Sequence, residues 1–262
     1  MFRIGAGTIP DQAVWQMLSD PWTYALALFA AICIGLAKTG FSGISLIGVF
    51  ILADVYGAKT SVGVALPLMI VADFMAYPAF INHGSWKPVW KLLGPALFGI
   101  LAGWLLLGAI NDHLARRLIG GCILLMVGIQ GFRRLDPERF ERVAHSRGFG
   151  LVTGTFGGFA SMLANAAGPV VQLYLLGKNI PKMELIGISA RFFLLINLIK
   201  VPFNAGLDLI TTASLVDNAK LLPGVIAGVI AGRWLIKHVP QAVFAWMVIV
   251  FSLVAGLRLL IW

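Results

Sequence analysis

Between Lys178 and Gly206 the chain reads KNIPKMELIGISARFFLLINLIKVPFNAG. The run is apolar enough for a bilayer, yet it carries Arg191, Asn197, Lys200 and Asn204, with Pro202 inside it. A Lys or Arg at the centre of a membrane helix costs roughly 2.5–3.5 kcal/mol on insertion scales, so by default it marks a functional pathway. On a helix Asn197, Lys200 and Asn204 fall at i, i+3 and i+7 on one face, and Arg191 lies about half a turn away from Lys200. Pro202 leaves the carbonyl of Leu198 without its helical donor. A polar stripe beside a loosened helix suits an anion-binding wall. The competing reading has Lys200 snorkelling to an interface and Arg191 paired structurally.

Of the 262 residues, 59% are hydrophobic and 12% charged, and the mean hydropathy is +0.91. Soluble domains carry about twice that share of charge, so the chain is expected to be an integral membrane protein. Long continuous apolar runs without ten-residue alternation point to helices and away from a barrel. The net charge of +9 comes mostly from basic residues at the ends of apolar runs, where lipid headgroups and the positive-inside bias account for it. No nucleic-acid module is visible. Cys33 and Cys122 read as free buried thiols, the four histidines form no ligand pair, and neither a metal nor a cofactor is expected.

Residues 1–21 form an N-terminal segment that does not read as a cleaved signal peptide. A first repeat is expected over 22–132. Its first apolar span, Pro21 to Ala37, runs into Lys38-Thr39-Gly40-Phe41-Ser42-Gly43 and then a short run, Ile44 to Ala53. That run is too short for a crossing, which needs about 20 residues. A re-entrant or broken helix is expected there, with breaks at Gly40 and Gly43, as an alternative to a plain tight turn. Such backbone survives at membrane depth only where protein or a watery cavity satisfies it. Lys38, Thr39 and Ser42, together with a helix N-terminus, are candidate anion ligands. Ala58 to Ile81 follows, with Pro67, a break expected at Pro78, and Asp73, the only carboxylate near the middle of an apolar run. Asp73 either takes up a coupling proton or pairs with a buried cation such as Arg191 or Lys200. Pro88 to Ile110 and Leu114 to Phe132 complete this half. The arginine-rich stretch 133–147 reads as a charged, solvated, cytosolic linker.

Residues 148–262 repeat the pattern. An offset of 124 lays Gly63 on Gly187, Asp73 on Asn197 and Pro78 on Pro202; an offset of 129 lays Lys91-Leu92-Leu93 on Lys220-Leu221-Leu222, and Gly99 and Gly103 on Gly228 and Gly232. The second break is expected at Gly168 and Pro169, with Asn165 and Gln172 as uncharged donors that either meet an oxyanion or cap and bridge helices. Val216 to Ile236 and Ala242 to Trp262 finish the chain. The fold class expected is all-α: a polytopic transmembrane helical bundle of two internal repeats, each with a broken or re-entrant helix near its start. This is a secondary-transporter pattern. The small residues at Gly99, Gly103, Gly228 and Gly232 pack either within one chain or between two, as in a homodimer.

At these residues the chain resembles the TauE/SafE sulfite exporter family. The resemblance rests on the break at Gly40 to Gly43, the stretch from Val64 through Pro67 to Asp73, and the loop Asn82 to Lys87 leading into Leu92-Leu93-Gly94-Pro95. In the second half it rests on Ala164-Asn165-Ala166-Ala167-Gly168-Pro169 and Asn197 to Pro202. It spans roughly residues 25 to 260 and implies a duplicated helical permease of the bacterial inner membrane. Its members move small sulfur-containing anions such as sulfite and sulfoacetate, generally outward, using ion gradients. Two departures stand out: Gly-Ile-Ser replaces a longer glycine run at the first break, and Arg191 stands where the family often has an aromatic residue. The expectation is an ion-coupled anion exporter, with membrane lipids and a coupling proton or other ion as partners. Lys38, Arg191 and Lys200 supply positive potential, and Asn165, Gln172 and Asn197 supply neutral donors. An uptake permease or a channel for the same anions is the alternative. A membrane-embedded enzyme lacks the clustered acids or histidines it needs, and a structural or sensory bundle leaves the two breaks without a purpose.

Overall fold

A computed structural model of the chain describes residues 20–144, 146, 148–176, 180–238, 249–250, 253–254 and 256–261. Among the described residues every regular element is a helix. Helix α1 (Pro21–Ala37) starts with Pro21 at its first position behind Asp20, whose carboxylate accepts from the Thr23 amide at 2.8 Å. A 3₁₀ turn (Ser42–Ile44) separates it from α2 (Ser45–Tyr56). Helices α3 (Ala58–Phe80), α4 (Lys87–Ala109) and α5 (Asp112–Leu135) follow, each long and apolar enough to cross a membrane. A short polar helix, α6 (Pro137–Ala144), precedes α7 (Phe149–Ala164) and α8 (Ala167–Leu176). Helices α9 (Lys182–Ala205) and α10 (Thr212–His238) are again of spanning length. The last expected span, Ala242 to Trp262, lies largely outside the described residues; 256–261 is helical and rests on Gly120 of α5.

Helix α2 doubles back along α1. A β-carbon at Gly48 would lie 2.9 Å from the Ala30 carbonyl, and both Tyr24 and Tyr56 reach the first turns of α10, at the Lys220 carbonyl (3.2 Å) and the Asp217 carboxylate (3.4 Å). Helix α8 doubles back along α7 in the same way, with Gly157 facing Val170 and Val171 and the rings of Phe149 and Tyr174 stacked at 6.1 Å. Each hairpin packs lengthwise on a long helix from the other half, α1 on α10 and α7 on α4, while α3 packs on α9.

Those contacts explain the glycines. A β-carbon on Gly35 or Gly228 would overlap the Val225 or Ile32 carbonyl, and one on Gly158 or Gly99 would overlap the Ala96 or Thr155 carbonyl. Gly103 and Gly232 likewise face Met162 and Thr39. All four glycines of the two Gly-x3-Gly pairs are therefore used within one chain.

Several expected breaks move. Pro78 and Pro202 do not end their helices; α3 continues to Phe80 and α9 to Ala205. Each leaves a carbonyl one turn back, Phe74 or Leu198, without its helical donor, and the helix continues through it as α3, α4 and α10 do through Pro67, Pro95 and Pro223. The break between α7 and α8 falls at Asn165, whose left-handed φ of 50° closes α7, and Gly168 and Pro169 sit inside the first turn of α8. Proline suits that position because its missing N–H has no helical partner to lose. Gly40 does mark a break, with φ of 114°, whereas Gly43 lies within the 3₁₀ turn. The charged stretch after Phe132 is largely helical: Arg133 and Arg134 occupy the last turn of α5, where cations suit the negative helix end.

Candidate functional site

The two hairpin bends meet in the interior. At the first, Lys38 turns its ammonium onto Asp73 of α3 at 2.9 Å, with the lysine side chain 10% and the aspartate 1% exposed. Sequence reasoning named Arg191 or Lys200 as the structural partner of Asp73; the ion pair in the structure is with Lys38. The other carboxylate oxygen accepts from the Asn197 amide at 2.7 Å, and the Lys38 ammonium also lies 5.0 Å from the centre of the Phe193 ring. A buried carboxylate left alone would be costly, and this one has a cation and a carboxamide as partners.

At the second bend Lys200, fully buried, donates to the Ser161 carbonyl (2.9 Å), the Ser161 hydroxyl (3.0 Å) and the Asn165 side-chain oxygen (2.5 Å). These acceptors come from the end of α7, where the helix dipole is negative, and the Ser161 carbonyl also accepts from the Asn165 backbone N–H at 3.0 Å. Lys200 does not snorkel. Asn165 hands its amide on to the Val62 carbonyl at 3.1 Å, which ties the bend to α3. One turn further along α9, Asn204 donates to the Lys200 carbonyl at 3.1 Å.

Two small cavities flank Lys38. The central one, about 30 Å³, is lined by Lys38, Ser45, Ser161, Asn165, Gly168 and Asn197 among others. Ser45 and Gly168 belong to the first turns of α2 and α8, so two helix N-termini converge on one space beside an ammonium group. The positive dipole ends favour an anion there. The second cavity, about 20 Å³, lies toward the start of α9 and is lined by Lys38, Asp73, Gln172, Ser189 and Phe193 among others. Gln172 donates to the Gly40 carbonyl at 3.2 Å, tying α8 to the first bend.

The remaining expected residues are placed elsewhere. Arg191 faces away from both cavities and donates to the carbonyls of His83 (2.6 Å) and Ile81 (2.5 Å), with its guanidinium 5.4 Å from the centre of the Trp86 ring. It holds the carboxyl end of α3, where a cation is favoured. Thr39 is buried against Gly232 and donates to the Leu36 carbonyl at 2.8 Å. The Ser42 side chain lies outside the described residues. Ser189 and Phe193 were missed by sequence reasoning. Extending the Asn197–Lys200–Asn204 face backwards in steps of four reaches both.

Five helices of spanning length among the described residues, around an apolar core that encloses a polar cluster, define a multi-pass integral membrane protein. Among the described residues no cluster of His, Cys, Asp and Glu is fit to hold a metal ion. The family described as sulfite exporter TauE/SafE matches residues 25–259, and the chain belongs to that family, a family of transporters and not of enzymes. No curated protein and no solved structure matches the chain.

Proposed function

We propose that this chain is a secondary transporter of the bacterial inner membrane that exports small sulfur-containing anions such as sulfite, sulfoacetate or other organosulfonates. The observation that carries the reading is the convergence of the α2 and α8 N-termini on the central cavity beside Lys38. Formal charge points the same way, since Lys38 and Lys200 face a single acid, Asp73. Asn165, Asn197 and Ser161 are neutral groups that would exchange their present partners, the Val62 carbonyl, Asp73 and Lys200, for an oxyanion that must also leave. On this reading Lys38, Asn165, Asn197 and Lys200 bind substrate, Gln172 braces the first bend, and Thr39 and Arg191 support the backbone.

Two inverted repeats, each opening with a re-entrant hairpin, would house this site. Helix α3 spans 58–80 and α9 spans 182–205, an offset of 124, and the glycine contacts of α1 with α10 match those of α7 with α4. Three crossings (α3, α4, α5) after the first hairpin would invert the second half. The end of the bundle with α6 carries Lys87, Lys91, Arg133, Arg134, Arg139 and Arg142, whereas at the opposite end Lys59, Arg116, Lys220 and Arg258 stand beside Asp54, Asp112 and Asp217. The positive-inside bias would then put the α6 end in the cytosol. Alternating access would exchange the side to which Lys38 is open, with Asp73 accepting a coupling proton when an anion takes its place on Lys38.

The test is anion flux from proteoliposomes, comparing sulfite, sulfoacetate, taurine, sulfate and chloride with and without a pH gradient. Gradient-stimulated flux of one sulfur anion is expected. Flux of every anion without gradient dependence would instead make the protein a channel, and no flux from folded protein would overturn the reading.

A further inference from the structure

We propose that Lys38 serves two successive anion sites, and that Ser189 completes the one on the α6 side as a direct ligand for a sulfonate or sulfite oxygen. The inference rests on the export reading above and adds a second station to it. Both cavities share Ala37, Lys38 and Phe193, so the lysine head stands between them with the Phe193 ring at its side. The central space has its donors from the two helix N-termini, Asn165 and Asn197. The α6-side space has Lys38, Gln172 and Ser189, with Asp73 also in its wall, so an anion there takes the place of that carboxylate on Lys38.

Ser189 is the unexplained group in that second space. It is 9% exposed, and its hydroxyl has no hydrogen-bond partner. A helix serine normally donates to the carbonyl one turn back, and a buried hydroxyl without a partner costs about 1–3 kcal/mol. A hydroxyl left open toward a cavity that also holds an ammonium group has the donor chemistry of an oxyanion site. Gln172 is already committed to the Gly40 carbonyl, which leaves Ser189 as the uncharged side chain free to turn to a ligand. An anion held by Lys38 and Ser189 moves to the central site when Lys38 swings past Phe193. The ammonium keeps hold throughout, so the anion is not abandoned in a space of low dielectric.

The experiment uses the full chain. Sulfoacetate is titrated into protein in detergent and binding is read by tryptophan fluorescence. Flux is measured in liposomes from the same preparations, and thermal unfolding checks that each variant is folded. Ser189→Ala is expected to weaken sulfoacetate binding about tenfold, the loss of one hydrogen bond to a charged group, and to raise the flux KM with little change in maximal rate. Ser189→Thr, which keeps the hydroxyl, is expected to restore most of the affinity. Unchanged affinity in Ser189→Ala overturns the proposal, as does the absence of sulfoacetate binding by the unaltered protein. Binding without flux would defeat the export reading alone, because the effect of Ser189→Ala on binding still decides the site.

Discussion

Asp73 and Asn197 stand 124 residues apart, occupy matching positions in α3 and α9, and are joined by a 2.7 Å hydrogen bond. The carboxylate of one half is held by the carboxamide of the other at the centre of the bundle. The pair is unequal: one position carries charge and the other only a dipole.

Making the pair equal should introduce pH sensitivity. In Asn197→Asp two carboxylates would touch, and like charges at that distance cannot both persist, so they share a proton. The variant is expected to unfold at a lower temperature than the parent at pH 8 and to recover much of the difference at pH 5, where the shared proton is supplied. Melting in detergent at both pH values checks this; an equal deficit at both rejects it.

Removing one partner of the Lys38–Asp73 pair leaves a buried charge unmatched, at a cost of about 3–5 kcal/mol. Lys38→Met and Asp73→Asn should each lower stability. The double variant is expected to recover at least half of the loss while remaining inactive in flux. A double variant as unstable as the sum of the singles would show that the ion pair is not the coupled unit.

Lys200→Ala and Arg191→Gln separate transport from support. Lys200→Ala is expected to abolish flux or cut it more than tenfold in folded protein. Arg191→Gln removes a clamp on two carbonyls at the end of α3 and should lower the melting temperature while leaving the KM for the anion within a factor of two. Flux and melting on the same preparations provide both readings.

Glycine substitutions test the packing. Gly99→Val and Gly228→Val would drive side chains into facing backbone carbonyls and are expected to yield little monodisperse protein on size exclusion. Gly121→Ala and Gly128→Ala, where a β-carbon meets nothing within 4 Å, should be tolerated, with a gain of about 0.5–1 kcal/mol from reduced backbone freedom. Equal behaviour of the two sets would reject the close helix approach.

Much of the helical architecture is legible in the sequence because membrane helices announce themselves by length and apolarity. The exact bends are less so. Pro78 and Pro202 look like breaks, but a membrane helix continues through a proline at the loss of one bond; Asn165 looks like a ligand and also turns the chain through its left-handed backbone. The polar face Asn197–Lys200–Asn204 follows from helical spacing alone, and the half-turn offset of Arg191 already separates it from that face. The partner of Asp73 could not be read, because Lys38 reaches it only after the chain has bent back between α1 and α2. Ser189 is hidden for a different reason: among Gly, Ile and Ala a serine looks like a small packing residue until its hydroxyl is found without a partner.

The crossed packing of the hairpins has a consequence for biogenesis. Helix α1 is made well before the helix that cradles it, α10, with α2 to α9 synthesised in between. Until then Thr39, beside the bend, lacks the α10 surface at Gly232 that covers it, and lipid does not satisfy irregular backbone there. Helix α7, by contrast, finds α4 already in place. Assembly is therefore asymmetric in time although the contacts are paired in space, and a truncated chain ending before α10 would leave its first hairpin as a substrate for membrane quality control.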